Sequence, residues 1–74
     1  MDISNIKDFF EYTVALINEF GKKFGISDAE AFRYMRNYEA LSYVQNNYEI
    51  LHTLTFDDVV ESVSSLCRRK GGAL

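Results

Sequence analysis

The sequence predicts an all-α fold, a compact bundle of four helices. Three observations carry this. Apolar residues recur at three- and four-residue spacing along nearly the whole chain, which is the period of a helix face and not of a strand. Proline is absent and glycine stands only at positions 21, 25, 71 and 72, so turn punctuation is sparse. Helix-capping chemistry appears where the apolar pattern restarts.

The first helix is expected over about 5–24. Ser4 is its candidate N-cap and Asp8 suits the positive end of the helix dipole. Lys22 and Lys23 suit the other end. Gly25 follows as a residue free to turn left-handed, and Ile26 can supply the hydrophobic contact of a Schellman motif. Ser27-Asp28-Ala29-Glu30 is a capping box, which opens a second helix over 28–36. A break is expected around Asn37-Tyr38-Glu39, then a third helix over 39–46. Asn46-Asn47 would end it, because asparagine tolerates the left-handed conformation. Tyr48 to Leu54 reads as a turn or one extra helical turn. The spacing of Tyr38, Leu41, Val44, Tyr48 and Leu51 also fits one long bent helix. Thr55 caps the last helix, expected over 56–69, with Asp57 and Asp58 in its first turn, Arg68 and Arg69 in its last, and Gly71 beyond. Residues 1–70 thus form a single helical domain, and 71–74 a flexible tail.

Composition limits the function. With 47% apolar and 15% aromatic residues among 74, the chain has enough apolar surface to offset ordering entropy, so it is not a disordered segment. It should bury only about 60–65% of the surface its unfolded form exposes, which leaves a thin core. The net charge of −3 argues against broad binding to nucleic-acid phosphate. Residues 1–67 hold all eleven acidic side chains and five of the eight basic ones; the others are Arg68, Arg69 and Lys70. A single cysteine, Cys67, excludes an internal disulfide. The start, Met1-Asp2-Ile3-Ser4, has neither the basic region nor the apolar stretch of a signal peptide. The longest strictly apolar run, Val14-Ala15-Leu16-Ile17, is far too short to span a membrane. A cytoplasmic location is the expectation.

On a helical wheel, the apolar arc of the last helix covers about 120° and that of the first about 200°. The expected core is Ile6, Phe10, Ile17, Phe20, Phe24, Phe32, Met35, Leu41, Val44, Leu51, Phe56, Val59, Val60, Val63 and Leu66. The wide arc of the first helix has two readings. Either that helix is central and wrapped by the others, or the edge holding Phe9, Tyr12 and Leu16 faces a partner. Tyr34 and Tyr38, four residues apart, either roof the core or join such a contact surface.

The residues that carry chemistry are few. His52 and Cys67 are single, and Cys67 falls on the apolar face of its helix, where a thiol is an inert small hydrophobe. A zinc site wants three or four ligands and the chain lacks a set of that size, so neither metal nor cofactor is expected. Asp57, Asp58 and Glu61 are accounted for by the helix dipole. The order helix, Gly25, Ser27, helix brings a helix-turn-helix to mind, with Arg33 and Arg36 on the second helix. That helix opens Asp28-Ala29-Glu30, which would repel phosphate.

From Gly25 to Glu61 the chain resembles a family of small uncharacterised all-helical bacterial proteins. Gly25-Ile26-Ser27, Glu30, Phe32, Tyr43 and above all Asn47-Tyr48-Glu49-Ile50-Leu51-His52-Thr53 carry the likeness. Tyr48, Leu51, His52 and Thr53 match the family's Tyr-x-x-Leu-His-Thr motif. The resemblance implies a domain without catalytic residues, sometimes encoded beside a protein similar to an ADP-ribosyltransferase toxin. The expected function is therefore a non-enzymatic protein-interaction module, an antitoxin or accessory partner, with a nearby-encoded toxin or a second copy as its partner. The rival reading is a small dimeric DNA-binding transcriptional regulator.

Overall fold

The computed structural model describes the backbone of residues 3–74 and the side chains of 6–74. Five helices follow one another: α1 (Ile3–Phe24), α2 (Asp28–Asn37), α3 (Ala40–Asn46), α4 (Tyr48–Leu51) and α5 (Phe56–Arg69), with no strand among the described residues. The fifth element relative to expectation is α4, the single extra turn after Asn47. At 1.5 Å per residue α1 is about 33 Å long, and it sets the 36 Å long dimension of a molecule 22 and 21 Å across. It packs against α2 and α5, while α3 joins α2, α4 and α5.

The helix ends follow the capping chemistry. Gly25 is left-handed at φ 68°, and the Ile26 amide donates to the Gly21 carbonyl at 2.9 Å, which is the long bond of a Schellman motif. Gly21 sits under that turn, where an added Cβ would lie 2.8 Å from the Ile26 carbonyl oxygen. The Glu30 amide donates to the Ser27 hydroxyl and the Ser27 amide to the Glu30 carboxylate, both at 3.1 Å. Thr55 accepts from the Asp58 amide at 3.2 Å.

Three caps differ. Ser4 lies inside α1, which is already formed at Ile3, so Ser4 does not cap it. The break before α3 is made by Glu39, left-handed at φ 64°. Asn47, by contrast, stays at φ −122°, so it ends α3 without the left-handed turn expected of it. The chain between Asp28 and Leu51 is three separate helices and not one bent helix.

The core holds Leu16, Phe20, Ala31, Met35, Ala40, Val44, Leu51, Val59, Val60, Val63 and Cys67, with Ile17, Phe24, Leu41, Phe56 and Leu66 partly buried against it. Three expected core residues are outside. Phe10 is 66% exposed, Ile6 52% and Phe32 40%. Phe32 carries the Arg36 guanidinium over its ring at 5.6 Å. Leu16, expected on an outward edge, has no exposed surface at all. The width of α1's apolar arc is as read from the sequence; in its N-terminal half the covered edge is that of Phe9 and Tyr12, while Ile17, Phe20 and Phe24 are covered as expected.

The tail is also held in place, contrary to expectation. Gly71 turns left-handed at φ 108°, and Gly72 donates to the Cys67 carbonyl at 2.8 Å. This second Schellman turn sends Leu74 back onto the core. There the Leu74 amide donates to the Tyr34 hydroxyl at 3.0 Å, and the buried Ser64 hydroxyl donates to the Leu74 carbonyl at 3.3 Å.

Candidate interaction surface

The four motif residues close the turn of α4. The Tyr48 carbonyl accepts from the His52 amide at 2.9 Å and from His52 Nδ1 at 2.9 Å. A carbonyl only accepts, so Nδ1 carries the proton. The imidazole also stacks on the Tyr48 ring, with centroids 5.0 Å apart. Thr53 Oγ1 donates to the Ile50 carbonyl at 2.7 Å. Leu51 anchors the turn in the core. The expected partner residues Phe9 and Tyr12 meet this turn from α1: Phe9 packs edge-on to Tyr48 at 5.4 Å, and Tyr12 lies between Tyr48 and Phe56 at 5.3 Å from each. The Tyr12 hydroxyl donates to the Leu51 carbonyl at 3.3 Å. Partial burial, then the nearby Tyr48, push its pKa up.

The five expected contact residues therefore do not form one outward patch. Leu16 is core, and Phe9 and Tyr12 are half-buried under α4. Tyr34 and Tyr38 touch each other at 4.9 Å beside the C-terminal strap, packed against the core.

What faces solvent instead is a row on α1, Ile6, Phe10 and Val14, and Ile50 on α4. An open groove runs between these helices. Ile6, Phe9, Tyr48 and Ile50 line its apolar part, and Asp8 and Glu49 supply carboxylates. The close contacts of α2 with α1 fall at Asn18 (to Asp28), Phe20 (to Tyr34) and Gly21 (to Ala31), so α2 covers the C-terminal half of α1. The N-terminal half meets α4 and α5 on its Phe9 and Tyr12 side, and Gln45 and Asn46 of α3 line the groove with Ile6 and Phe9. The i, i+4 spacing of Ile6, Phe10 and Val14 was the sequence signal for this row, but the wheel cannot show which edge lacks a neighbour.

The groups with chemical potential stand apart. Cys67 is fully enclosed in α5, and burial pushes its thiol up, away from the thiolate that a nucleophile needs. His52 is exposed at the end of α4 and bonded to Tyr48. Asp57, Asp58 and Glu61 line a shallow depression with Glu19, offset by Lys22 and Lys23. Among the described residues no group of three or more His, Cys, Asp or Glu is placed to hold a metal ion, and no helix is long and apolar enough to cross a membrane.

The family of proteins of unknown function termed DUF3791 matches residues 11–70. The chain belongs to this family. The DUF3791 stretch takes in α2 to α5, the Tyr48–Thr53 turn and all of α1 from Glu11 on. Ile6 and Phe10 precede it. No curated protein and no solved structure matches the chain.

Proposed function

We propose that this DUF3791 domain is a non-enzymatic protein-interaction module that receives its partner in the groove between α1 and α4. The observation that carries the reading is that groove: Ile6 and Ile50 are exposed beside an aromatic wall of Phe9 and Tyr48. An apolar surface so placed on a small domain is a contact site. The carboxylates of Asp8 and Glu49 favour a partner segment that is apolar with a basic flank. In its finer form, the module neutralises or assists a toxin encoded beside it, in the cytoplasm of a bacterium. The domain needs no cofactor or metal for this role.

The test is co-expression with the product of the adjoining reading frame, followed by gel filtration. The expected result is co-elution that Ile50→Glu abolishes while helicity is retained. Co-elution unaffected by Ile50→Glu, or none in the parent protein, would overturn the groove as the site. Duplex DNA of random sequence should not bind at moderate salt, as the acidic balance of residues 1–67 requires.

A further inference from the structure

We infer that Tyr34, Ser64 and Arg68 form a carboxylate-binding site for the end of an extended peptide, filled in this structure by Leu74 of the C-terminal strap. Helices α2 and α5 build it. Tyr34 on α2 donates to the Leu74 carbonyl oxygen at 3.4 Å. Ser64 on α5 donates to the same oxygen at 3.3 Å, and so does Arg68 Nη1, one turn further along α5, at 3.4 Å. The Tyr34 hydroxyl also accepts from the Leu74 amide at 3.0 Å, which fixes the direction of the chain. The Leu74 side chain packs against the core. Ser64 is 2% exposed, so its hydroxyl must find partners within the protein. It accepts from Arg68 Nη1 at 2.7 Å and gives its own proton to the Leu74 oxygen.

Three features select a carboxylate over a peptide carbonyl. The first is acceptor capacity. A carbonyl oxygen has two lone pairs, and three donors converge on this one; a carboxylate offers two oxygens and about four acceptor sites. The three bonds are also longer than is usual for a single carbonyl. The second is charge. Arg68 makes no ion pair with an acidic side chain among the described residues, and its guanidinium is held at the strap by Ser64 and by Ser65, which accepts from Nη2 at 3.2 Å. The third is the end of α5, whose free carbonyls would repel an anion. They are occupied: the Gly72 amide donates to the Cys67 carbonyl at 2.8 Å and the Gly71 amide to the Arg68 carbonyl at 3.1 Å. Tyr34 from α2, with Tyr38 packed on it, and Arg68 from α5 are the titratable side chains at the site. From α1 the apolar ring of Phe20 lies against Tyr34, and Glu39 is engaged by Lys70 at 2.7 Å.

Two full chains ending at Leu74 test the site, one with a carboxylate there and one with a carboxamide of the same size. The second is made by joining a synthetic segment at Cys67. At neutral pH the carboxamide chain should melt about 4–8 °C below the carboxylate chain. The gap should close as pH falls through the titration of the Leu74 carboxyl, because the donors favour its charged form and that contribution is lost on protonation. Carbon-13 NMR of a labelled Leu74 should show its carboxyl titrating at lower pH in the folded chain than in the urea-unfolded one. Arg68 is exposed, so Arg68→Gln should fold, and it should remove most of the gap between the two forms. Equal melting of the two forms would overturn the site and leave Leu74 an ordinary peptide carbonyl. A gap that persists at acid pH, a carboxyl that titrates alike in both states, or a gap untouched by Arg68→Gln would overturn it too. None of these outcomes bears on the α1–α4 groove, which Ile50→Glu tests separately.

Discussion

At the scale of single residues, His52 shows a side chain whose contacts stay within its own turn. From its isolation before a helix start it reads as a residue that fixes a turn. The contacts fit a local role: one hydrogen bond to the carbonyl four residues back and one stacked ring. Because the imidazole is exposed, water replaces much of what its removal takes away. His52→Ala should therefore cost less than about 1 kcal/mol, which at this chain length lowers the melting temperature by under about 8 °C. Thermal unfolding followed by circular dichroism measures it. A larger loss would mean that the imidazole holds more than its own turn.

At the scale of elements, the break between α2 and α3 is the informative one. Glu39 is a non-glycine residue in the left-handed region, which costs about 1–2 kcal/mol. Against this, its carboxylate receives the Lys70 ammonium at 2.7 Å. That hydrogen bond, then the ammonium charge, lower the Glu39 pKa below its ordinary 4.5. A carboxyl lowered in the folded state contributes stability above its ordinary value, and this is lost as pH falls through the lowered value. The pair is exposed and so contributes little. Glu39→Gly should thus raise the urea midpoint at neutral pH, and the gain should widen as pH falls through the lowered Glu39 value, where the parent loses its ion pair. A lower midpoint at neutral pH would show that the tie to Lys70 outweighs the strain at the turn.

For the molecule as a whole, the C-terminal strap completes the core rather than trailing from it. Gly72 approaches Tyr34 so closely that an added Cβ would collide with its ring and hydroxyl. Leu74 rests on the core, and its backbone meets the hydroxyls of Tyr34 and Ser64. Removing residues 71–74 takes the acceptor from buried Ser64 and uncovers the apolar surface beneath Leu74. Stability should fall by about 1–3 kcal/mol, read as a lower urea midpoint with the slope nearly unchanged. An unchanged midpoint would return the strap to the status of a free tail.

The sequence by itself determined the class of the fold, the limits of α2 and α5 to within a residue, the C-terminal end of α1, and the chemistry of four helix ends at Gly25, Ser27, Thr55 and Gly71. Periodicity, capping and left-handed glycine are local physics, settled within a few residues. Most of the expected core is buried for a related reason: an apolar face must be hidden somewhere. Which edge of α1 is hidden was decided only by the tertiary structure. The ten residues of α2 reach along about half of the twenty-two of α1, so Ile17 and Phe24 are covered while Phe10 is not. Leu16 lies one turn beyond Tyr12, on the side where Tyr12 meets Phe56 of α5, and it went inward there. The groove and the Ile6–Phe10–Val14 row exist where helices distant in sequence stop short of one another. Such gaps depend on lengths and crossing positions of several elements at once, and the period of one helix cannot encode them.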